Sequence, residues 1–129
     1  MKRPEKAYKY YHQLLPMVAQ AQAGEWRYKA EPYVYASNIF GPESDKFGLA
    51  NVSWLTGTAA WMYIAATQYI LGIKPKWNGI EIDPCLSKEM LPAKVTRIFR
   101  GCKYEITITK NEKRFIPHEE ERTEFSVMI

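Results

Sequence analysis

Residues 53–61 hold the side chains in this sequence that are best suited to bind a ligand. The hydroxyls of Thr56 and Thr58 flank Gly57, and an apolar segment without charge follows as far as Lys74. A polar turn that leads into a helix leaves backbone N–H groups free to donate to an anion such as phosphate. From these residues alone, the simpler interpretation is that Thr56 caps the helix, as Ser and Thr do in many proteins.

Aromatic and thiol side chains are further candidates for binding a sugar or a metal. An exposed Trp54 or Trp61 could stack on a sugar ring, but their spacing on one apolar helix face favours packing in the core. We therefore expect both to be buried. Cys85 and Cys102 have neither the spacing nor the companion residues of a metal site, so we expect two reduced thiols and no metal.

The composition is that of one domain with a core, since the chain has 129 residues of which 47% are hydrophobic. Its net charge of +4 is spread along the chain and interleaved with Glu, so no nucleic-acid partner is expected. No signal peptide follows the first residues, and residues 54–73 carry too many polar and glycine interruptions for a membrane span. These features predict a cytoplasmic protein without membrane contact.

The first half of the sequence predicts helices around a long loop. Apolar residues recur at helical spacing from Pro4 until Pro16 interrupts, and a weaker turn over residues 19–23 ends at Gly24. Residues 26–51 read as loop, with an extended stretch at residues 31–36.

A second helix is predicted to begin near Thr56, run to about Leu71 and end at Gly72. It is apolar nearly all the way round, which predicts neighbours on every side.

The second half predicts strands, with a boundary near residues 74–77. Apolar residues alternate with polar ones at residues 80–82 and 104–108, and Arg100-Gly101 is a predicted turn after a strand at residues 95–99. Residues 111–129 are charged and rich in Glu, and their pattern supports no assignment.

Several blocks of the sequence resemble the C-terminal part of cellobiose phosphorylase and its relatives, glycoside hydrolase family 94. They are residues 28–36, 53–62, 69–75, 82–85 and 95–101, in the family's order. The resemblance implies an α+β chain in which residues 1–75 form the last helices of an (α/α)6 barrel. Residues 76–110 would then be strands of a C-terminal β-sandwich that is incomplete in this chain, with residues 111–129 as an unassigned tail.

The resemblance also implies an activity. In the family, inorganic phosphate attacks the anomeric carbon of a β-linked disaccharide while an Asp acid protonates the leaving sugar, giving α-glucose 1-phosphate with inversion. Phosphate is a co-substrate, and no cofactor is expected. The family's phosphate site contains a Thr-Gly pair at Thr56 and Gly57, which makes phosphate binding the favoured role of this turn. Glu31 lies on the sugar side, and Ser37 stands where cellobiose phosphorylases commonly carry a Gln that contacts the sugar.

The family's acid, and the Arg and His that complete its phosphate site, precede the segment that this chain resembles. The sequence therefore predicts a fragment with no catalytic residue of its own, inactive alone. It should self-associate or bind the missing upstream part of the enzyme, because its apolar helix would otherwise lack partners. The alternatives are a non-catalytic carbohydrate-binding or interaction module and an inactive relic.

Overall fold

The computed structural model describes residues 2–129 and contains both helices and sheets, so the predicted α+β class is confirmed. The chain forms two compact units. We call Lys9–Tyr63 the motif unit, because it contains residues 53–61, and we call Ile64–Ile129 together with the residues up to Tyr8 the sheet unit. The finer division of the chain at residues 75 and 110 stays a prediction.

Three helices come first in the chain: α1 spans Pro4–Gln13, α2 spans Pro16–Ala23 and α3 spans Glu25–Tyr28. The first helix is confirmed. The second is longer than the turn predicted at residues 19–23, because it begins at Pro16, whose fixed φ suits the first helical turn. Gly24, with φ of 84°, ends it as predicted.

The prediction of a continuous loop over residues 26–51 is wrong in part. Strand β1 at Ala36–Ile39 pairs antiparallel with β2 at Ala50–Ser53, with Ala36 opposite Ser53. Most residues of both strands are solvent-exposed, so they lack the alternation of apolar and polar residues that marks a half-buried strand.

The second predicted helix is present in two parts. Helix α4 spans Thr58–Ile64, and a π-helical segment, Ala65–Ile70, follows it in sequence. The chain then leaves the helix at Gly72, whose φ is 75°, as predicted. Burial all round this helix is not observed: Met62 and Ile70 are buried, whereas its aromatic residues Trp61, Tyr63 and Tyr69 are exposed.

The sheet unit contains two three-stranded sheets. One is antiparallel with the order β3 (Ile73–Lys76), β4 (Gly79–Ile82), β7 (Arg114–Pro117). The other has the order β5 (Ala93–Phe99), β6 (Cys102–Ile108), β8 (Glu124–Met128), where β6 is antiparallel to β5 and parallel to β8. A short 3₁₀ helix, Lys88–Met90, precedes β5.

The strands predicted from alternation are confirmed, as is the turn at Arg100-Gly101. The apolar residues of β4 and of β6 are buried, and Ile80, Ile82, Tyr104, Ile106 and Ile108 form the centre of the core in this unit, whereas Ile98 of β5 is exposed. Residues 111–129, which the sequence left unassigned, supply β7 and β8. Within residues 2–129, no helix has the length and apolar character that crossing a bilayer requires.

Candidate functional site

The turn before α4 has the geometry of a capped helix start. The Oγ1 of Thr56 accepts the N–H of Thr58 at 3.1 Å and lies 2.7 Å from the Thr58 hydroxyl. The carbonyl of Gly57 accepts the N–H of Trp61 at 3.2 Å, which is the first hydrogen bond of the helix. Gly57 therefore occupies the N-cap position, and the Thr56 hydroxyl, one residue earlier, satisfies the N–H of the first helical residue. When Thr58 donates in the hydroxyl pair, the Thr56 hydroxyl proton remains available to a ligand.

Donors suited to an anion surround this turn. The N–H groups of Ala59 and Ala60 lie in the first turn of α4, where backbone donors have no partner within the helix. Both residues are exposed, and the positive end of the helix dipole points the same way. The arrangement can bind an oxyanion through a hydroxyl and two backbone donors.

Gly57 leaves open space beside these donors. A Cβ at this position would meet only the Cδ1 atom of Trp61, at 3.9 Å, which is ordinary van der Waals contact. The φ of Gly57 is also outside the left-handed region. Neither crowding nor backbone conformation within this chain requires a glycine here. Because Gly57 has no side chain, a ligand can approach the backbone closely at this position.

Glu31 is held beside the same segment. The Nε1 of Trp54 donates to its Oε1 at 3.2 Å. Its own backbone N–H, the Trp54 indole and the Ser53 hydroxyl lower the pKa of this carboxyl from its ordinary 4.5, so it is an anion at neutral pH. It borders an open cavity of about 510 Å³ whose lining is mostly polar: Gln20, Glu25, Lys29, Ala30, Glu31, Pro32 and Ser53.

Ser37 lies on the exposed strand β1, between the pairs that Ala36 and Asn38 make with β2. All four residues predicted to form the site therefore belong to the motif unit. The structure joins Glu31 to Trp54, two residues before Thr56, while Ser37 is linked to this segment through the β1–β2 pairing.

The expected burial of Trp54 and Trp61 is wrong, because their exposed fractions are 68% and 76%. Trp54 precedes α4 and has a φ of 71°, so the two rings do not share a helix face. Sequence reasoning also missed Val52, a β-branched residue with φ of 52°. Such backbone conformations cost about 1–3 kcal/mol each and cluster at functional sites.

A metal site is absent from the part of the chain that the structure describes, since no three His, Cys, Asp or Glu side chains there lie close enough to hold an ion. Cys85 and Cys102 are both free thiols, and Cys102 is fully buried.

Comparison with known proteins identifies the family of this chain. A family model described as the catalytic domain of the Glycosyl hydrolase 94 superfamily matches residues 1–72. The match covers more than half of the chain and includes every predicted site residue. The chain belongs to this family, as its sequence blocks suggested.

Its relatives include several disaccharide phosphorylases. The chain is 41% identical over 106 residues to N,N'-diacetylchitobiose phosphorylase of Vibrio proteolyticus, a match that covers 82% of this chain and 13% of the relative. It is 39% identical over 84 residues to solabiose phosphorylase of Paenibacillus borealis, covering 65% and 11%. It is 31% identical over 112 residues to the cyclic beta-(1,2)-glucan synthase NdvB of Rhizobium meliloti, covering 86% and 4%. The chain thus spans about an eighth or less of these relatives.

Proposed function

We propose that this chain supplies part of the phosphate site of a glycoside phosphorylase. That enzyme would cleave a β-linked disaccharide with inorganic phosphate, by inversion, to give α-glucose 1-phosphate. The observation that carries the proposal is the turn at Thr56 and Gly57, which is partly exposed and lies at a helix start inside the family match. The acid that protonates the leaving sugar is not assigned to any residue of this chain, and no cofactor takes part.

The chemistry of the turn fits inorganic phosphate. The Thr56 hydroxyl donates to one phosphate oxygen, and the N–H groups of Ala59 and Ala60 donate to others. The absent side chain of Gly57 lets the anion approach the backbone. Phosphate then takes the place of the water and base that an inverting glycosidase uses.

The sugar side of the site involves Glu31 and Ser37. The Glu31 carboxylate accepts hydrogen bonds from sugar hydroxyls at the edge of its polar cavity. Ser37 is exposed and shorter than the Gln that cellobiose phosphorylases commonly carry, which favours a disaccharide other than cellobiose.

We also propose an architecture and partners for the whole enzyme. The helices would complete an (α/α)6 barrel, and the strands would belong to a C-terminal sandwich of a cytoplasmic enzyme. The exposed Leu55, Trp61 and Tyr63 support contact with the remainder of the catalytic domain or with another copy of the chain.

A chimeric enzyme tests the phosphate role. The segment of the Vibrio proteolyticus phosphorylase that matches this chain is replaced by this chain, and phosphorolysis of N,N'-diacetylchitobiose is followed as release of sugar 1-phosphate. Thr56→Val should raise the KM for phosphate at least about tenfold, because a lost donor to an anion is worth about 1.5–3 kcal/mol. The KM for the disaccharide should change little.

The matched control is Thr96→Val, the same substitution at an exposed position on β5. It should leave both KM values unchanged. A folded chimera without activity, or a Thr56→Val variant with the KM for phosphate of the parent chimera, would contradict the proposal.

A carbohydrate-binding module is the second candidate, and the exposure of Trp54 and Trp61 favours it. Flat, exposed indole rings can stack on sugars without any chemistry. Saturable quenching of tryptophan fluorescence by β-linked oligosaccharides, unaffected by phosphate and by Thr56→Val, would support this function over the first.

A further inference from the structure

We propose that Glu31 is a positioning residue for the phosphate turn. Through its hydrogen bond to the Trp54 indole, it holds residues 52–54 in their unusual backbone conformation and thereby fixes Thr56 and Gly57. We call the Glu31–Trp54 hydrogen bond the clamp. The proposal rests on the proposed function, since it assigns a second role to Glu31 within the same site.

The clamp matters because packing holds Trp54 only weakly. The Trp54 side chain is 68% exposed, so only a minority of its surface is in contact with the rest of the chain. The bond from its Nε1 to the Glu31 Oε1, at 3.2 Å, is a directional contact to an anion. Hydrogen bonds to charged groups are among the stronger ones in proteins.

Hydrogen bonds fix the backbone on the Glu31 side of the clamp. The carbonyl of Glu31 accepts the N–H of the buried Val34 at 3.2 Å. The carbonyl of Ala30 accepts the Nε2 of Gln20, on α2, also at 3.2 Å. Pro32 follows and restricts the conformation of Glu31 further. Glu31 is therefore tied on both sides before it reaches Trp54.

The Trp54 end carries backbone strain. Val52 and Trp54 have φ values of 52° and 71°, and Ser53 between them pairs with Ala36 of β1. Conformations of this kind persist only where the surroundings hold them. Without the clamp, Trp54 can return to an ordinary φ.

A return of Trp54 to an ordinary φ would redirect the chain only two residues before Thr56. Successive Cα atoms lie about 3.8 Å apart, so the Thr56 hydroxyl would move by several ångströms. Binding groups must keep their geometry to within about 0.5 Å to stay productive.

The direct sugar contact proposed for Glu31 can be separated from the clamp by a conservative change. Glu31→Gln keeps an oxygen that accepts the indole N–H but removes the charge. Glu31→Ala removes both. The clamp therefore predicts that Gln preserves the phosphate turn, whereas a role that depends on charge alone predicts that Gln and Ala are equally damaging.

The test is two-dimensional ¹H–¹⁵N NMR of the 129-residue chain, with and without inorganic phosphate. In Glu31→Ala, the Trp54 indole N–H signal should shift, the amide signals of residues 56–58 should move or broaden, and their response to phosphate should fall at least about tenfold, as for the loss of a 1.4 kcal/mol interaction. Glu31→Gln keeps a weaker, neutral hydrogen bond, so its spectrum should lie closer to that of the parent chain than to that of Glu31→Ala. Glu25→Ala, at another Glu that lines the same cavity, is the matched control and should leave these signals unchanged.

Each outcome decides one of the two proposals. Unchanged signals at residues 56–58 in Glu31→Ala, or equal damage by Gln and Ala, overturn the clamp. If the parent chain's residues 56–58 do not respond to phosphate, the phosphate role fails, while the indole and turn signals of the variants still decide the clamp. If Glu31→Ala unfolds the chain, Trp54→Phe removes the same bond and keeps an aromatic ring, and it must disturb residues 56–58 for the clamp to stand.

Discussion

The two units of this chain differ in where they put their apolar side chains. The largest fully buried residues all belong to the sheet unit: Tyr104, Ile80, Ile82, Leu86, Ile106, Ile108, Pro84, Cys102 and Ser87. Most of the exposed large apolar residues lie in the motif unit, among them Trp26, Tyr33, Trp54, Leu55 and Trp61, although Trp77 and Ile98 of the sheet unit are exposed too. The sheet unit therefore has a core of its own, whereas the motif unit has an apolar surface suited to binding.

Two glycines, one in each unit, differ in the same way in the space around their Cβ positions. At Gly72 of the sheet unit, a Cβ would lie 2.3 Å from the carbonyl carbon and oxygen of Asp83, and φ is 75°. At Gly57 of the motif unit, a Cβ would find open space apart from one ordinary contact with Trp61. The first glycine is required by packing, while the second is not, which is consistent with the role proposed for Gly57 beside an anion.

The largest effect is expected for Gly72→Ala. The new methyl group would overlap backbone atoms of Asp83, which cannot rotate away as a flexible side chain can. The loss of unfolding free energy should be about 3 kcal/mol or more, which is a large share of a domain's stability. Urea unfolding followed by circular dichroism measures it.

Gly101→Ala is the matched control for this prediction. Gly101 has a similar φ of 79°, but nothing lies within 4 Å of its Cβ position. The Gly101→Ala variant should therefore lose only about 1 kcal/mol of unfolding free energy, which is the cost of placing Ala in this backbone conformation. Equal losses in the two variants would mean that backbone conformation, and not close packing, makes Gly72 necessary.

The sheet unit was also the more predictable unit. Alternation of apolar and polar residues indicated β4 and β6, since these strands bury one face in a core. It did not indicate β7, where Ile116 alone is buried, or β8, which pairs in parallel with the distant β6. Pairing between segments far apart in sequence leaves no local signal when the strand is short and mostly exposed.

The site was predictable only in part. A hydroxyl and a glycine before an apolar run were enough to single out Thr56 and Gly57 and to predict the helix start. The exposure of Trp54 and the backbone conformations of Val52 and Trp54 were not, because they depend on the pairing with β1 and on the contact with Glu31. Sequence periodicity alone treats Trp54 as a member of the helix that it precedes.

The Gly57→Ala variant separates an effect on stability from an effect on binding. The methyl group has room, so the unfolding free energy should fall by no more than about 1 kcal/mol, the cost of Ala at a helix N-cap. In the chimeric phosphorylase, the KM for phosphate should rise about tenfold, because the methyl group occupies the space proposed for the anion.

Gly41→Ala is the control for Gly57→Ala, since Gly41 also lies in the motif unit with open space around its Cβ position. It should leave the KM for phosphate unchanged. A Gly57→Ala variant that uses phosphate as well as the parent would remove the argument from glycine size.

The smallest expected effect is a dependence of stability on pH in the sheet unit. Glu81 lies 2.8 Å from Lys113, and this contact lowers the pKa of Glu81 from its ordinary 4.5 and raises that of Lys113 above 10.5. A lowered carboxyl pKa contributes stability that is fully present above pH 4.5 and is lost as the pH falls through the folded value. A raised lysine pKa contributes stability that is present below pH 10.5 and is lost as the pH rises through the folded value.

The contribution of this ion pair to stability should therefore be level between these limits and decline on either side. The midpoint of urea unfolding across this range measures the effect, which is modest because both groups are partly exposed. Lys113→Met should reduce both the alkaline and the acid decline, while Lys94→Met, at an exposed position on β5, should change neither. Part of the alkaline decline should survive, because Glu105 also raises the pKa of Lys103. Because Glu81 also lies within 4 Å of Lys74 and Lys76, part of the acid decline should survive the loss of Lys113. A complete loss of that decline would assign the whole effect to one ion pair.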